Sequence, residues 1–231
     1  MRLTHIELPS SDVEACVAFF RDVLQLRATG HTVHAGWTDL AVVPVTGVSQ
    51  GAVHLAFNVP HARFAAACEW IAARALLLRD PLGEDRFHIG APWDAESVYF
   101  AGPHDAVFEL IARKPLARGG AVSGAFHGSE IACVSEVGLP TDDVPALVRD
   151  LVVRFGILPF GAITDVFAPM GSHDGLLIVV DQHRHWFPEL RQRPGAQGLR
   201  IRMTGVPPHA RPLDANGCHL TSAELKVAAN L

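Results

Sequence analysis

GAVHLAFNVP, residues 51–60, is an apolar strand with one histidine set into it. Side chains alternate between the two faces of a strand, so Leu55, Phe57 and Val59 point one way and His54, Ala56 and Asn58 point the other. The first set wants a core. The second presents an imidazole between small neighbours, which leaves space beside it for a ligand. A lone histidine in such a strand is ordinarily a core or edge residue whose nitrogens are satisfied locally. Here, however, the same pattern recurs along the chain.

LTHIELPSSDVEACVAFF, VHLAFNVPHARFAAACEWI and CVSEVGLPTDDVPALVRDLV share one grammar: an alternating strand closed by Pro9, Pro60 or Pro140, a few polar residues, then an amphipathic helix. In the first helix, Ser11 and Glu14 read as a capping box and Val13, Cys16, Val17, Phe20 and Leu24 trace one face. Phe64, Cys68, Ile71 and Ala75 do so in the second, and Val144, Leu147, Val148, Leu151 and Phe155 in the third. Strand-like runs follow each helix: HTVHAG and LAVVPV, then ALLLRD, RFHIG, SVYFA and AVFELIAR, then ITDVFAP and GLLIVVD. One helix per unit covers only one face of its sheet, so the other face must be solvated or must close around a ligand. The expected class is α+β, built from a repeated strand–helix–strand unit.

The expected boundaries are 1–114 for two paired units with the functional site, 115–128 for a Gly/Ala-rich basic linker, 129–205 for an additional unit whose last strand is LRIRMTG, and 206–231 for a poorly packed tail.

Apolar residues make up 49% of the 231-residue chain and charged residues 19%, the balance of a soluble globular protein. A net charge of −5 without a basic stripe argues against a nucleic-acid partner. No run approaches the ~20 apolar residues of a membrane span, and MRLTHIELP lacks the apolar core of a signal peptide. Cys16, Cys68, Cys133 and Cys218 have neither zinc-finger nor disulfide-framework spacing. A cytoplasmic protein with a small-molecule substrate is expected.

Aligning the units on their prolines places His5, His54 and Glu136 in related inward-facing positions. Glu109, in AVFELIAR, lies on the face opposite Phe108 and Leu110. His5, His54 and Glu109 are expected to meet in one cup, giving two imidazoles and one carboxylate on rigid strands and leaving coordination positions open. Glu136 matches the ligand position in the third unit, which offers no obvious histidine and carboxylate partners for a second site. Glu7 shares a face with His5, and His183 and His185 in DQHRHWFPE share a strand face.

With histidine in HIELP, histidine in HLAFNVP and glutamate in FELIAR, the repeated units resemble the vicinal oxygen chelate superfamily of glyoxalases, bleomycin-resistance proteins and extradiol dioxygenases. The resemblance covers residues 1–114, and 129–187 more loosely. It implies βαβββ modules curled in pairs into a mixed-sheet cup around a divalent metal, with His5, His54 and Glu109 as ligands. Fe(II) is favoured, with Mn(II) or Zn(II) as alternatives.

VYFAGPHDAVFE also resembles the closing segment of extradiol dioxygenases, supplying Val98, Tyr99, Pro103 and Glu109 in order, with His88 as the upstream histidine. It departs from that pattern in the spacing of His88, in Gly102 for an acidic or polar residue and in Asp105 for a glycine. This implies Tyr99 hydrogen-bonding a substrate oxygen and His88 acting as acid/base, on a catechol-like substrate. A glyoxalase-like lyase, isomerase or thiol transferase is the alternative, and a non-catalytic antibiotic-binding protein is a third. Because the extra unit must bury its sheet face, a homodimer is expected.

Overall fold

The computed structural model describes residues 1–45, 51–116 and 123–224. In chain order the elements are β1 (Arg2–Ser10), α1 (Val13–Ala18), β2 (Arg27–Thr29), β3 (Thr32–Ala35) and β4 (Thr38–Pro44); β5 (His54–Asn58), α2 (Phe64–Ala72), β6 (Arg86–Ile89), β7 (Ala95–Ala101) and β8 (Val107–Arg113). Then follow β9 (Cys133–Thr141), α3 (Val144–Phe155), β10 (Phe167–Ser172) and β11 (Gly175–Asp181), and finally β12 (Arg200–Thr204), β13 (Leu213–Ala215) and β14 (Cys218–Ser222). Each of β1, β5 and β9 is thus followed by a helix and then by further strands.

These strands form two curled, mixed seven-stranded sheets. Sheet one runs β13-β14-β12-β1-β4-β3-β2 and sheet two runs β10-β11-β9-β5-β8-β7-β6. The partnership differs from the one expected. The second unit pairs with the third through antiparallel β5 and β9, and the first pairs with the C-terminal strands through antiparallel β1 and β12. LRIRMTG is thus not the last strand of the third unit, and β13 and β14 make an ordered edge of sheet one where a loose tail was expected. Residues 225–231 of that tail and 117–122 of the expected linker lie outside the described residues. The third unit finds its sheet partner within the chain, through β9 on β5.

The helices start where carboxylates cap them. Asp12, rather than Ser11, caps α1, accepting from the Ala15 N–H at 3.0 Å, and Asp143 accepts from that of Ala146 at 2.8 Å in α3. Gly156 ends α3 in the left-handed conformation, φ +64°. ALLLRD contributes only an isolated bridge, Leu77 to Phe100, held by the Leu78 N–H on the Tyr99 carbonyl and the Ala101 N–H on the Leu76 carbonyl, both at 2.9 Å.

One apolar core joins the layers: Leu3, Ile6 and Leu40 of sheet one, Phe20, Cys68 and Leu151 from the helical segments, and Leu55, Phe57, Phe108 and Leu177 of sheet two belong to it. Phe20, following α1, meets Phe108 at 5.7 Å between ring centroids, tying the first unit to the back of sheet two. A second apolar cluster, including Tyr99, Ile178 and Trp186, lies on the other face of sheet two.

Candidate metal centre

Strands β9, β5 and β8 are neighbours in the middle of sheet two. Ala56 on β5 is the register partner of both Glu109 on β8 and Glu136 on β9. A methyl group between two carboxylates leaves their inner ends unscreened, and His54 follows on the same face two residues away. One ligand atom from each of His54, Glu109 and Glu136 lies within 4.8 Å of the others, and all three residues are buried. His54 Nε2 stands 3.7 Å from Glu109 Oε2.

The protonation states suit a cation. The His54 Nδ1–H donates to the Val107 carbonyl at 2.9 Å, leaving the Nε2 lone pair facing the carboxylates. Burial pushes the His54 pKa down, so the imidazole is neutral, as a ligand must be. Burial first, and then the charge of Glu136, push the Glu109 carboxyl well above the usual carboxylate range. Its Oε1 is buried with no hydrogen-bond partner. Glu136 Oε1 accepts from Trp93 Nε1 at 3.2 Å and from Arg113, which forms a fully buried ion pair with it. Two carboxyl groups share one guanidinium in a low-dielectric site, so Glu109 favours a proton that a divalent cation would displace, and its orphaned oxygen lacks a partner that such a cation would supply.

The donors open into a cavity of about 390 Å³ whose walls include Phe87, Trp93, Tyr99, Phe167, Ile178 and Trp186. Trp186 packs on His54 at 5.0 Å between centroids and is anchored by its Nε1–H on the Ala52 carbonyl at 2.8 Å.

His5 does not join this group. It sits on β1 in sheet one, its Nε2 3.9 Å from Glu7 Oε1. The registers give the reason. His54 faces Val107 with Glu109 two residues further along, whereas His5 faces Asp39 with Ala41 in the corresponding place. Where Ala56 faces Glu136, Glu7 faces Arg200, and those two form an ion pair at 3.4 Å. Sheet one has the histidine but neither carboxylate. Glu136 takes the third place instead, as a member of the same centre as His54 and Glu109 rather than of a second one.

Tyr99 is buried on β7 as the register partner of Glu109, and burial pushes its hydroxyl well above the usual phenol value. His88 stands at the cavity rim with its side chain 75% exposed, 4.0 Å from Glu96. His183 and His185 lie in the turn after β11, not on a strand face, and the His183 N–H bonds Asp181 Oδ1 at 2.7 Å. Arg113, Trp93 and Trp186 carried no sequence signal as site residues, apart from the even spacing that puts Arg113 on the face of Glu109.

No family model matches the sequence, and no curated protein matches it. Solved structures do. A Bacillus subtilis protein provisionally named a dioxygenase matches with a TM-score of 0.61 at 16% identity, over 97% of this chain and 85% of its own. A V278E mutant of Zea mays glyoxalase I matches with a TM-score of 0.56 at 13% identity, over 96% of this chain and 92% of its own. At such identities the likeness is one of fold, and it extends over nearly the whole chain. The chain has the fold of these glyoxalase I and dioxygenase-named structures.

Proposed function

We propose that this protein is a metal-dependent enzyme of the vicinal oxygen chelate type, with one divalent cation held by His54, Glu109 and Glu136. The observation that carries the proposal is the buried, neutral His54 with its Nε2 turned to two carboxylates, one of which has an orphaned oxygen. A bound divalent cation supplies Lewis acidity toward adjacent substrate oxygens.

The chain's own residues do the rest. Val107 fixes the His54 tautomer, and Arg113 and Trp93 hold Glu136 through one oxygen. Tyr99, opposite Glu109 and still protonated at neutral pH, donates a hydrogen bond to a substrate oxygen. The aromatic walls exclude water and favour a flat, apolar substrate body.

An oxidoreductase that opens a catechol-like ring with Fe(II) and dioxygen is the first specific activity to test. A lyase or isomerase using Mn(II) or Zn(II) is the second. It gains from the donor set, since one imidazole with two carboxylates is harder than the two imidazoles expected from sequence. Metal-stripped protein reloaded anaerobically with Fe(II), Mn(II) or Zn(II) separates them. Dioxygen uptake with a catechol only in the Fe(II) form supports the first, and turnover of a hemithioacetal without dioxygen supports the second. Failure to bind any of the three cations at micromolar concentration overturns both.

A further inference from the structure

The cavity that holds Glu109 and Glu136 is also lined by a cation: Arg184, in the turn after β11, is the one arginine or lysine among the described residues lining it. Its guanidinium carbon sits 4.7 Å from the centroid of Phe167. Among the described residues no carboxylate lies within ion-pairing distance of it. Partial withdrawal from water lowers its pKa, opposed in part by Tyr99. The same lining is largely aromatic, with Phe187 against Phe87 at 4.6 Å and against Tyr99 at 5.3 Å.

We propose that Arg184 selects an aromatic carboxylate as ligand, its ring lying between the aromatic walls, its carboxylate on the guanidinium and any vicinal oxygens toward His54, Glu109 and Glu136. Only the contact with His54, Glu109 and Glu136 rests on the metal-site proposal. A guanidinium presents a planar fork of donors that matches a carboxylate, and its stacking on Phe167 holds that fork in place. A neutral ring of the same shape would gain the walls but not the fork.

Benzoate and benzamide, alike in shape and different in charge, isolate the arginine without calling on the metal. Their binding is followed by quenching of tryptophan fluorescence, since Trp93 and Trp186 line the cavity, in metal-free and Mn(II)-loaded protein. Wild type is expected to prefer benzoate by about tenfold, the worth of one charge-assisted hydrogen-bonded pair. Arg184→Gln should reduce that preference to within about twofold, and Arg184→Lys should restore part of it.

Equal binding of the two probes, no binding of either at millimolar concentration, or a preference that survives in Arg184→Gln with an unchanged melting temperature would each overturn the proposal. A preference seen in metal-free protein that takes up no cation sustains the role of Arg184 and sinks the metal-site proposal alone. Comparing 3,4-dihydroxybenzoate with catechol in Mn(II)-loaded protein then reads both contacts together, and the same Arg184-dependent preference is expected.

Discussion

Ile178 holds in the third unit the place that Glu109 holds in the second. Glu109 is the register partner of Ala56, two residues beyond His54, and Ile178 is the register partner of Gly138, two residues beyond Glu136. The internal repeat therefore offers four corners around the cavity and fills three with donors. The fourth is apolar, which leaves the group with one His and two carboxylates.

Replacing a donor should separate this centre from the one read in the sequence. His54→Ala, Glu109→Gln and Glu136→Gln are each expected to weaken divalent-metal binding by about a hundredfold or more, since removal of outer partners alone typically costs 10–100-fold. His5→Ala should leave affinity within about twofold. Calorimetric titration with Mn(II) measures all four, and a large loss in His5→Ala with none in Glu136→Gln would restore the original triad.

Arg113 and Glu136 are a buried pair in which the guanidinium has further nitrogens, Nε and Nη1, without partners. Arg113→Leu should destabilise the fold by about 3–5 kcal/mol, because it leaves the Glu136 carboxylate buried and uncompensated. Arg113→Leu with Glu136→Leu should recover most of that loss in urea denaturation. A single variant as stable as wild type would show that the pair carries no such penalty.

Gly138 is where the backbone of β9 lets Trp186 approach His54. A Cβ there would fall 2.5 Å from Trp186 Cζ2 and 3.1 Å from His54 Cβ. Gly138→Ala is expected to cost about 1–3 kcal/mol by overpacking and to shift the tryptophan emission as Trp186 moves off the imidazole. Unchanged emission and an unchanged unfolding midpoint would show that the indole has another place to go.

Acid sensitivity should appear at the joint between α2 and β9. Arg63 clasps Glu130 through Nε at 2.7 Å and Nη2 at 3.1 Å. That hydrogen-bonded pairing holds the Glu130 carboxyl below its ordinary value of 4.5. A depressed folded-state pKa stabilises above the unfolded value, and the contribution is lost as pH falls through the folded one. Wild type should therefore melt above Glu130→Gln at pH 7, and the gap should close as pH falls below 4. A gap independent of pH would assign the difference to packing rather than charge.

The sequence by itself determined the units, because each is written in short-range physics. Alternation, a closing proline and a helical stripe lie within about twenty residues of one another, and Pro9, Pro60 and Pro140 mark all three opening strands. It also put His54 and Glu109 on one face, since both belong to strands of a single unit paired in parallel. Which unit closes on which was decided only by the tertiary structure. An opening strand looks the same whether it meets β9 or β12, so nothing local distinguishes Glu136 from His5 as the third donor. The antiparallel edge of β5 against β9 makes that choice, bringing a carboxylate from about 80 residues away into register with Ala56 and leaving His5 opposite Arg202 in the other sheet.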